Sequence, residues 1–195
     1  MSIKIRWGAP GSYKTSAAVA DDFVDAVKAG RIVVTNVRGL NDKHKIIKAI
    51  ESKYSGLALV KSFPFITTKP FKVPESFELH HLSTHEHDDA QDNREHLARW
   101  FHWLPKGSLL LLDEAQDIWP KRWTQKDIDK LDYPGGVAAA SKDKRPSNFN
   151  QAFEMHRHHG WDIILTTPNI TLIRPDVRAT AEGAFRHDNQ AMIGF

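Results

Sequence analysis

The segment Gly8-Ala9-Pro10-Gly11-Ser12-Tyr13-Lys14-Thr15-Ser16 has the residue types and spacing needed to wrap a chain of phosphates. Polyphosphate calls for converging backbone N–H groups, which a tight turn feeding a helix N-terminus supplies. The usual spacing is Gly, four residues, then Gly-Lys-Ser/Thr. Gly8, Lys14 and Thr15 occupy their places, Gly11 sits inside the loop, and Tyr13 stands where the second glycine is usual. In such a P-loop the backbone from Gly8 to Tyr13 forms the cradle, and Lys14 puts positive charge at the β and γ phosphates. The Thr15 hydroxyl faces magnesium, and Ser16 meets the α-phosphate region. Glycine at the Tyr13 position permits close approach or an unusual φ, so the tyrosine ring is expected to turn outward and flank the nucleotide. The bland alternative is a Gly-Pro-Gly turn before any helix, with Lys14 an ordinary surface lysine.

A second constellation supplies what a phosphate cradle lacks. Leu109 to Leu112 is an uncharged apolar run that ends in Asp113-Glu114. A carboxylate at the tip of a buried strand reaches magnesium, and the next can orient or deprotonate water. Asp113 is therefore assigned to magnesium and Glu114 to the attacking water, against the alternative of a solvated strand end. Thr166, Thr167 and Asn169 close a later apolar strand, where a sensor of the γ phosphate stands if that strand lies between the cradle and Asp113. Thr167 is the first choice and Asn169 the second. Arg157, Arg174 and Arg178 bracket the same strand and are the arginines offered for neutralising charge in phosphoryl transfer. One acting on a neighbouring subunit would make activity depend on oligomerisation.

These residues need particular elements to hold them. Ser2–Trp7 alternates like a strand, and Lys14–Lys28 is an amphipathic helix stopped by Gly30. Ile32–Val34 is a second strand, and Asp42 caps a helix carrying Ile46, Ile47, Ile50 and Tyr54. Pro64–Pro74 reads as irregular, Phe77–Leu82 as a strand and Asp89–Trp103 as a helix. Ser108–Leu112 suits an interior parallel strand covered on both faces. Trp119–Ser147 is a partly helical excursion, and Asn148 caps a helix running to His158. Asp162–Thr167 is a strand, Arg174–Ala184 a short helix and Ala191–Ile193 a terminal strand. This alternation predicts an α/β fold, a mainly parallel sheet with crossover helices, in one domain over residues 1–195.

Composition narrows the chemistry. The 195 residues are 41% hydrophobic and 26% charged, as in an ordinary folded protein. No cysteine occurs, which excludes disulfides, thiolate zinc sites and cysteine nucleophiles. The longest stretch without Asp, Glu, Lys or Arg, Ile163–Ile173, is too short for a membrane helix. A net charge of +3 permits a nucleic-acid footprint without demanding one. Lys121, Arg122, Lys126, Lys142, Lys144 and Arg145 are interleaved with Asp127, Asp129, Asp132 and Asp143, which suits a solvated mixed face equally well. His80, His81, His85 and His87 read as a polar loop ahead of a zinc site.

The whole pattern resembles the N-terminal cytoplasmic domain of the zonular occludens toxin family, the assembly proteins of filamentous phages. The resemblance rests on Gly8–Thr15, Gly30–Asn36, Leu112-Asp113-Glu114-Ala115-Gln116, and Arg157–Asp162 ahead of Thr166-Thr167, in that order. It implies a three-layer P-loop NTPase fold of the additional-strand type, an ATPase using ATP and magnesium, and Glu114 as the catalytic carboxylate. It also implies a homo-oligomeric active state and an inner-membrane protein that helps export phage DNA and coat. The expected partners are phage assembly proteins and single-stranded DNA or its protein complex. Family members carry a membrane helix beyond this domain, so the chain is expected to be a cytoplasmic fragment of a longer protein. Tyr13 and Thr167-Pro168 depart from the family's usual glycine and Thr-Gln pair, which leaves the hydrolysis rate open. The competing readings are a nucleotide-dependent scaffold with little hydrolysis and a P-loop small-molecule kinase.

Overall fold

The computed structural model describes residues 1–60, 70–84 and 92–188, with backbone alone over 56–60. Among these residues six strands form one all-parallel sheet: β1 (Ile3–Trp7), β2 (Ile32–Thr35), β3 (Glu78–His81), β4 (Leu109–Leu112), β5 (Asp162–Thr167) and β6 (Gly183–Arg186). The spatial order is β3-β2-β4-β5-β1-β6, so β5 separates the strand before the cradle from the strand before Asp113. This inserted strand is the mark of the additional-strand P-loop fold.

The apolar run of β4 explains the three layers. Leu110 and Leu112 enter one core with Ile3, Ile5, Ile163 and Leu165, whereas Leu109 and Leu111 enter a second with Val33 and Ile164. A period of two sends neighbours to opposite faces, so a strand apolar at every position must be covered on both. One cover is α1 (Lys14–Ala18), continuing through a π-helical segment (Val19–Phe23) into α2 (Val24–Lys28), together with α3 (Lys43–Val60). The opposite cover uses α4 (Arg94–Ala98), α5 (Trp100–Trp103), α6 (Ala115–Ile118), α7 (Gln125–Asp129), α9 (Phe149–Glu154) and α10 (Pro175–Ala179). Between α7 and α9 lies α8 (Gly136–Lys142). Trp100, Trp119 and Trp161 are fully buried in this second core.

Local chemistry ends the elements as expected at several points. Asp42 accepts from the Lys45 N–H at 2.9 Å ahead of α3, and Asn148 accepts from the Gln151 N–H at 2.9 Å ahead of α9. Gly30 and Gly160 take left-handed conformations after α2 and before β5, at φ 66° and 74°. Asp21 and Asp22 of the π-helical segment meet Lys4 and Arg6 of β1. The helix predicted over Arg174–Ala184 stops at Ala179, and Gly183–Arg186 forms the edge strand β6. The expected terminal strand at Ala191–Ile193, part of the Pro64–Pro74 segment, and His85 and His87 lie outside the described residues. Among the described residues no helix is long and apolar enough to cross a membrane.

The N-terminal rim of the sheet is tied by Arg31. Its guanidinium donates to the carbonyls of Gly107 at 2.7 Å, Ser108 at 2.9 Å and Gly160 at 3.2 Å, and to Asp162 Oδ2 at 2.5 Å. One planar side chain thus bonds the approaches to β4 and β5 from the start of β2. Burial alone would push Asp162 up, but Arg31, the Ser2 N–H and the N-terminus together hold its pKa below the ordinary carboxylate value. A lowered folded pKa contributes stability that is complete above the unfolded pKa and lost as pH falls through the folded one. Arg31→Ala is expected to reduce unfolding free energy in urea by about 2–4 kcal/mol. Asp162→Asn is expected to flatten the decline in stability below roughly pH 4; an unchanged acid limb would contradict this placement.

Candidate functional site

The C-terminal ends of the parallel strands gather the residues whose types suggested chemistry. The loop after β1 folds back on itself, with the Ser12 N–H donating to the Ala9 carbonyl at 3.1 Å. Gly8 sits against the residue that follows β6: a Cβ there would lie 2.1 Å from the His187 carbonyl oxygen. Tyr13 adopts the left-handed conformation, φ 60° and ψ 17°, directly before α1, and its side chain is 69% exposed. The ring therefore points outward, while its backbone takes the shape that glycine adopts without strain.

Lys14 is buried to 7% exposure, and its side chain makes no hydrogen bond or ion pair with any described residue. The residue packs into the loop while its ammonium keeps no protein acceptor, which leaves that charge available to an anion. Ser12 is likewise buried, and its hydroxyl has no partner among the described residues. Both residues flank Tyr13 in the loop.

Asp113 joins this loop to the sheet. Its Oδ1 accepts from the Thr15 hydroxyl at 3.0 Å, from its neighbour's Glu114 N–H at 3.1 Å, and from the Thr166 hydroxyl in a short contact. No described residue donates to Oδ2. Asn36, at the end of β2, clamps the Asp113 backbone: its Oδ1 accepts from the Asp113 N–H at 2.7 Å and its Nδ2 donates to the Asp113 carbonyl at 2.9 Å. Glu114 then turns left-handed, φ 51° and ψ 48°, as the first residue before α6. Such a conformation in a residue other than glycine costs of order 1–3 kcal/mol and concentrates at functional positions. Glu114 Oε2 accepts from Gln116 Nε2 at 2.6 Å, and Gln116 Oε1 accepts from the Thr167 hydroxyl at 2.8 Å.

The structure thus brings Gly8 through Ser16, Asp113, Glu114 and Thr167 to one rim. Arg157 is a correction. It lies in the 3-10 turn His156–His159, ahead of the N-terminal end of β5, and pairs with Glu182 at 2.8 Å. A six-residue strand spans roughly 20 Å, so Arg157 cannot meet a phosphate held by the cradle of its own chain. Arg174 is engaged by Asp176 and the Trp123 carbonyl and serves the fold. Asn36, Gln116 and the Thr166 contact were not assigned from sequence. Asn36 carried a weak signal as a polar strand end, and Gln116 as part of the Asp-Glu-Ala-Gln string.

The family model described as zonular occludens toxin matches residues 2–195. This chain belongs to the zonular occludens toxin family. It is 41% identical over 194 residues to the zona occludens toxin of Vibrio cholerae serotype O1, covering all of this chain and 42% of that protein. The chain therefore spans less than half the length of this curated relative. The N-terminal domain of zonular occludens toxin from Neisseria meningitidis superposes with a TM-score of 0.50 at 21% identity, over 98% of this chain and 78% of that one. A genome packaging NTPase from Sulfolobus turreted icosahedral virus 2, solved with sulfate, aligns at TM-score 0.48 and 15% identity, over 97% and 76% of the two chains.

The Asn36 clamp predicts a measurable effect. Asn36 is 2% exposed and also donates to the Thr84 hydroxyl at 3.0 Å. Asn36→Ala leaves the Asp113 backbone groups unpaired and is expected to lower stability by about 2–3 kcal/mol in urea unfolding. Thr84→Val is expected to lower it by clearly less; equal losses would show that the clamp on Asp113 is not the larger share.

Proposed function

We propose that this chain is the ATP-binding and ATP-hydrolysing domain of a filamentous-phage assembly and export protein. The observation that carries the reading is Lys14, a largely buried residue whose ammonium has no acceptor among the described residues, in a loop whose next residue, Thr15, touches Asp113. A site built this way fits a polyphosphate with a divalent cation. The backbone N–H groups of the Gly8–Tyr13 loop that remain free of protein acceptors, those of Gly11 and Tyr13 among them, and the Lys14 ammonium hold the β and γ phosphates, and Ser16 meets the α phosphate. The open Oδ2 of Asp113 and the Thr15 hydroxyl form a hard oxygen pair suited to magnesium. Bound there, magnesium supplies charge neutralisation at the phosphate oxygens.

Glu114 is the base in this reading. Its carboxylate takes a proton from water as the water oxygen bonds to the γ phosphorus. The bond from that phosphorus to the β–γ bridging oxygen breaks, and its electron pair leaves with ADP. Thr167 stands as the γ-phosphate sensor at the end of the inserted strand. Homo-oligomerisation, contact with single-stranded DNA or its protein complex, and anchoring in the bacterial inner membrane through a further segment belong to the same proposal. They follow from the family resemblance and are open to direct assay.

The presence of Tyr13 where the loop spacing usually places glycine motivates a second reading, a nucleotide-dependent scaffold with little turnover. Phosphate release across a protein concentration series, with and without single-stranded DNA, separates the two. Lys14→Ala is expected to weaken nucleotide binding tenfold or more, a loss of about 1.4 kcal/mol or more. Glu114→Gln is expected to bind normally and hydrolyse roughly 10²- to 10⁴-fold more slowly. Full hydrolysis in Glu114→Gln would remove it as the base, and binding without release in the unsubstituted protein would favour the scaffold.

A further inference from the structure

The contacts of Gln116 impose a restriction on Thr167. A carboxylate only accepts hydrogen bonds, so the side of Gln116 facing Glu114 Oε2 must be its amide nitrogen. The amide oxygen then faces the Thr167 hydroxyl, which must donate, because two oxygens at 2.8 Å need a proton between them. Thr167 has one hydroxyl proton. Its other close oxygen, the Asn169 carbonyl at 3.1 Å, also only accepts and competes for that proton. While Thr167 serves Gln116, it presents lone pairs to any phosphate oxygen approaching the end of β5.

We infer that Gln116 is a positioning residue that links γ-phosphate detection at Thr167 to the catalytic carboxylate of Glu114. Thr167 donates either to Gln116 or to a phosphate oxygen, and one proton cannot do both. Arrival of a triphosphate withdraws the proton from Gln116, whose amide loses its anchor on β5. The hold of Nε2 on Glu114 loosens at the same moment, and Oε2 becomes available to water. ADP has no γ phosphate and leaves the chain Thr167–Gln116–Glu114 intact. The inference rests on the proposed nucleotide-binding reading of the cradle and adds to it a residue, a direction and a discriminated ligand.

Its consequence is thermodynamic and precedes hydrolysis. In the unsubstituted chain a triphosphate must break the Thr167–Gln116 bond, and a diphosphate need not. The test is calorimetric titration of the 195-residue chain with ADP and with a non-hydrolysable ATP analogue, each with magnesium. Gln116→Met, close to isosteric but unable to accept from Thr167, is expected to raise the preference for the analogue over ADP by about 3- to 10-fold, one net hydrogen bond. Gln116→Ala tests the same loss with a smaller side chain, and ADP affinity is expected to stay within about twofold of normal. Thr167→Val is expected to lower the preference and, combined with Gln116→Met, to erase the gain; Thr167→Ser restores it. A merely structural role for Gln116 would weaken both ligands together. Normal binding with an unchanged preference in Gln116→Met and Gln116→Ala, or a gain that persists in the Thr167→Val double variant, would overturn the relay alone. Failure of the unsubstituted chain to bind either nucleotide would overturn the cradle reading and the relay with it.

Discussion

One carboxylate oxygen organises the functional rim. Asp113 Oδ1 receives the hydroxyls of Thr15, which follows the β1 loop, and Thr166, which lies in β5. Asn36 fixes the same residue's backbone from β2. Four adjacent strands, β2, β4, β5 and β1, are thereby referred to a single residue. In a partly buried setting such a charged acceptor binds its donors more strongly than it would in water. The loop after β1 has its position because α1 begins on this contact, and Glu114 has its position because it is the next residue.

That arrangement carries strain, and the rest of the molecule offsets it. Tyr13 and Glu114 both hold left-handed backbones, one on each side of the Asp113–Thr15 contact. Two cores on opposite faces of the sheet supply the rigidity, with the leucines of β4 shared alternately between them. The opposite rim is built for stability: Arg31, Asp162 and the chain's N-terminus lock the strand starts together. The candidate site and the stabilising cluster thus occupy opposite ends of the same strands, and in open parallel sheets ligands meet the carboxyl ends.

Much of this was legible because it is local. A glycine-rich loop before a helix, an uncharged leucine run and a capping asparagine each carry their cause within a few residues. The condition set for Thr167, that its strand lie between the cradle and Asp113, is met by the strand order. Partners that depend on parallel register were not legible. Thr15 and Thr166 stand 98 and 53 positions from Asp113, and no local pattern announces that they share its oxygen. Strand β6 escaped because three of its four residues are exposed, so it lacks an apolar alternation. Arg157 lies far from its own chain's cradle because closeness in sequence to a strand says nothing about which end of that strand a residue attends.

The most direct measurement is a crystal structure with a non-hydrolysable ATP analogue and manganese, located by its anomalous scattering. The account predicts phosphates enclosed by Gly8 to Thr15 against the Lys14 ammonium, with the metal bonded to Thr15 Oγ1 and reached by the Asp113 carboxylate directly or through water. Phosphates bound elsewhere, or a metal with no link to Thr15 and Asp113, would contradict it.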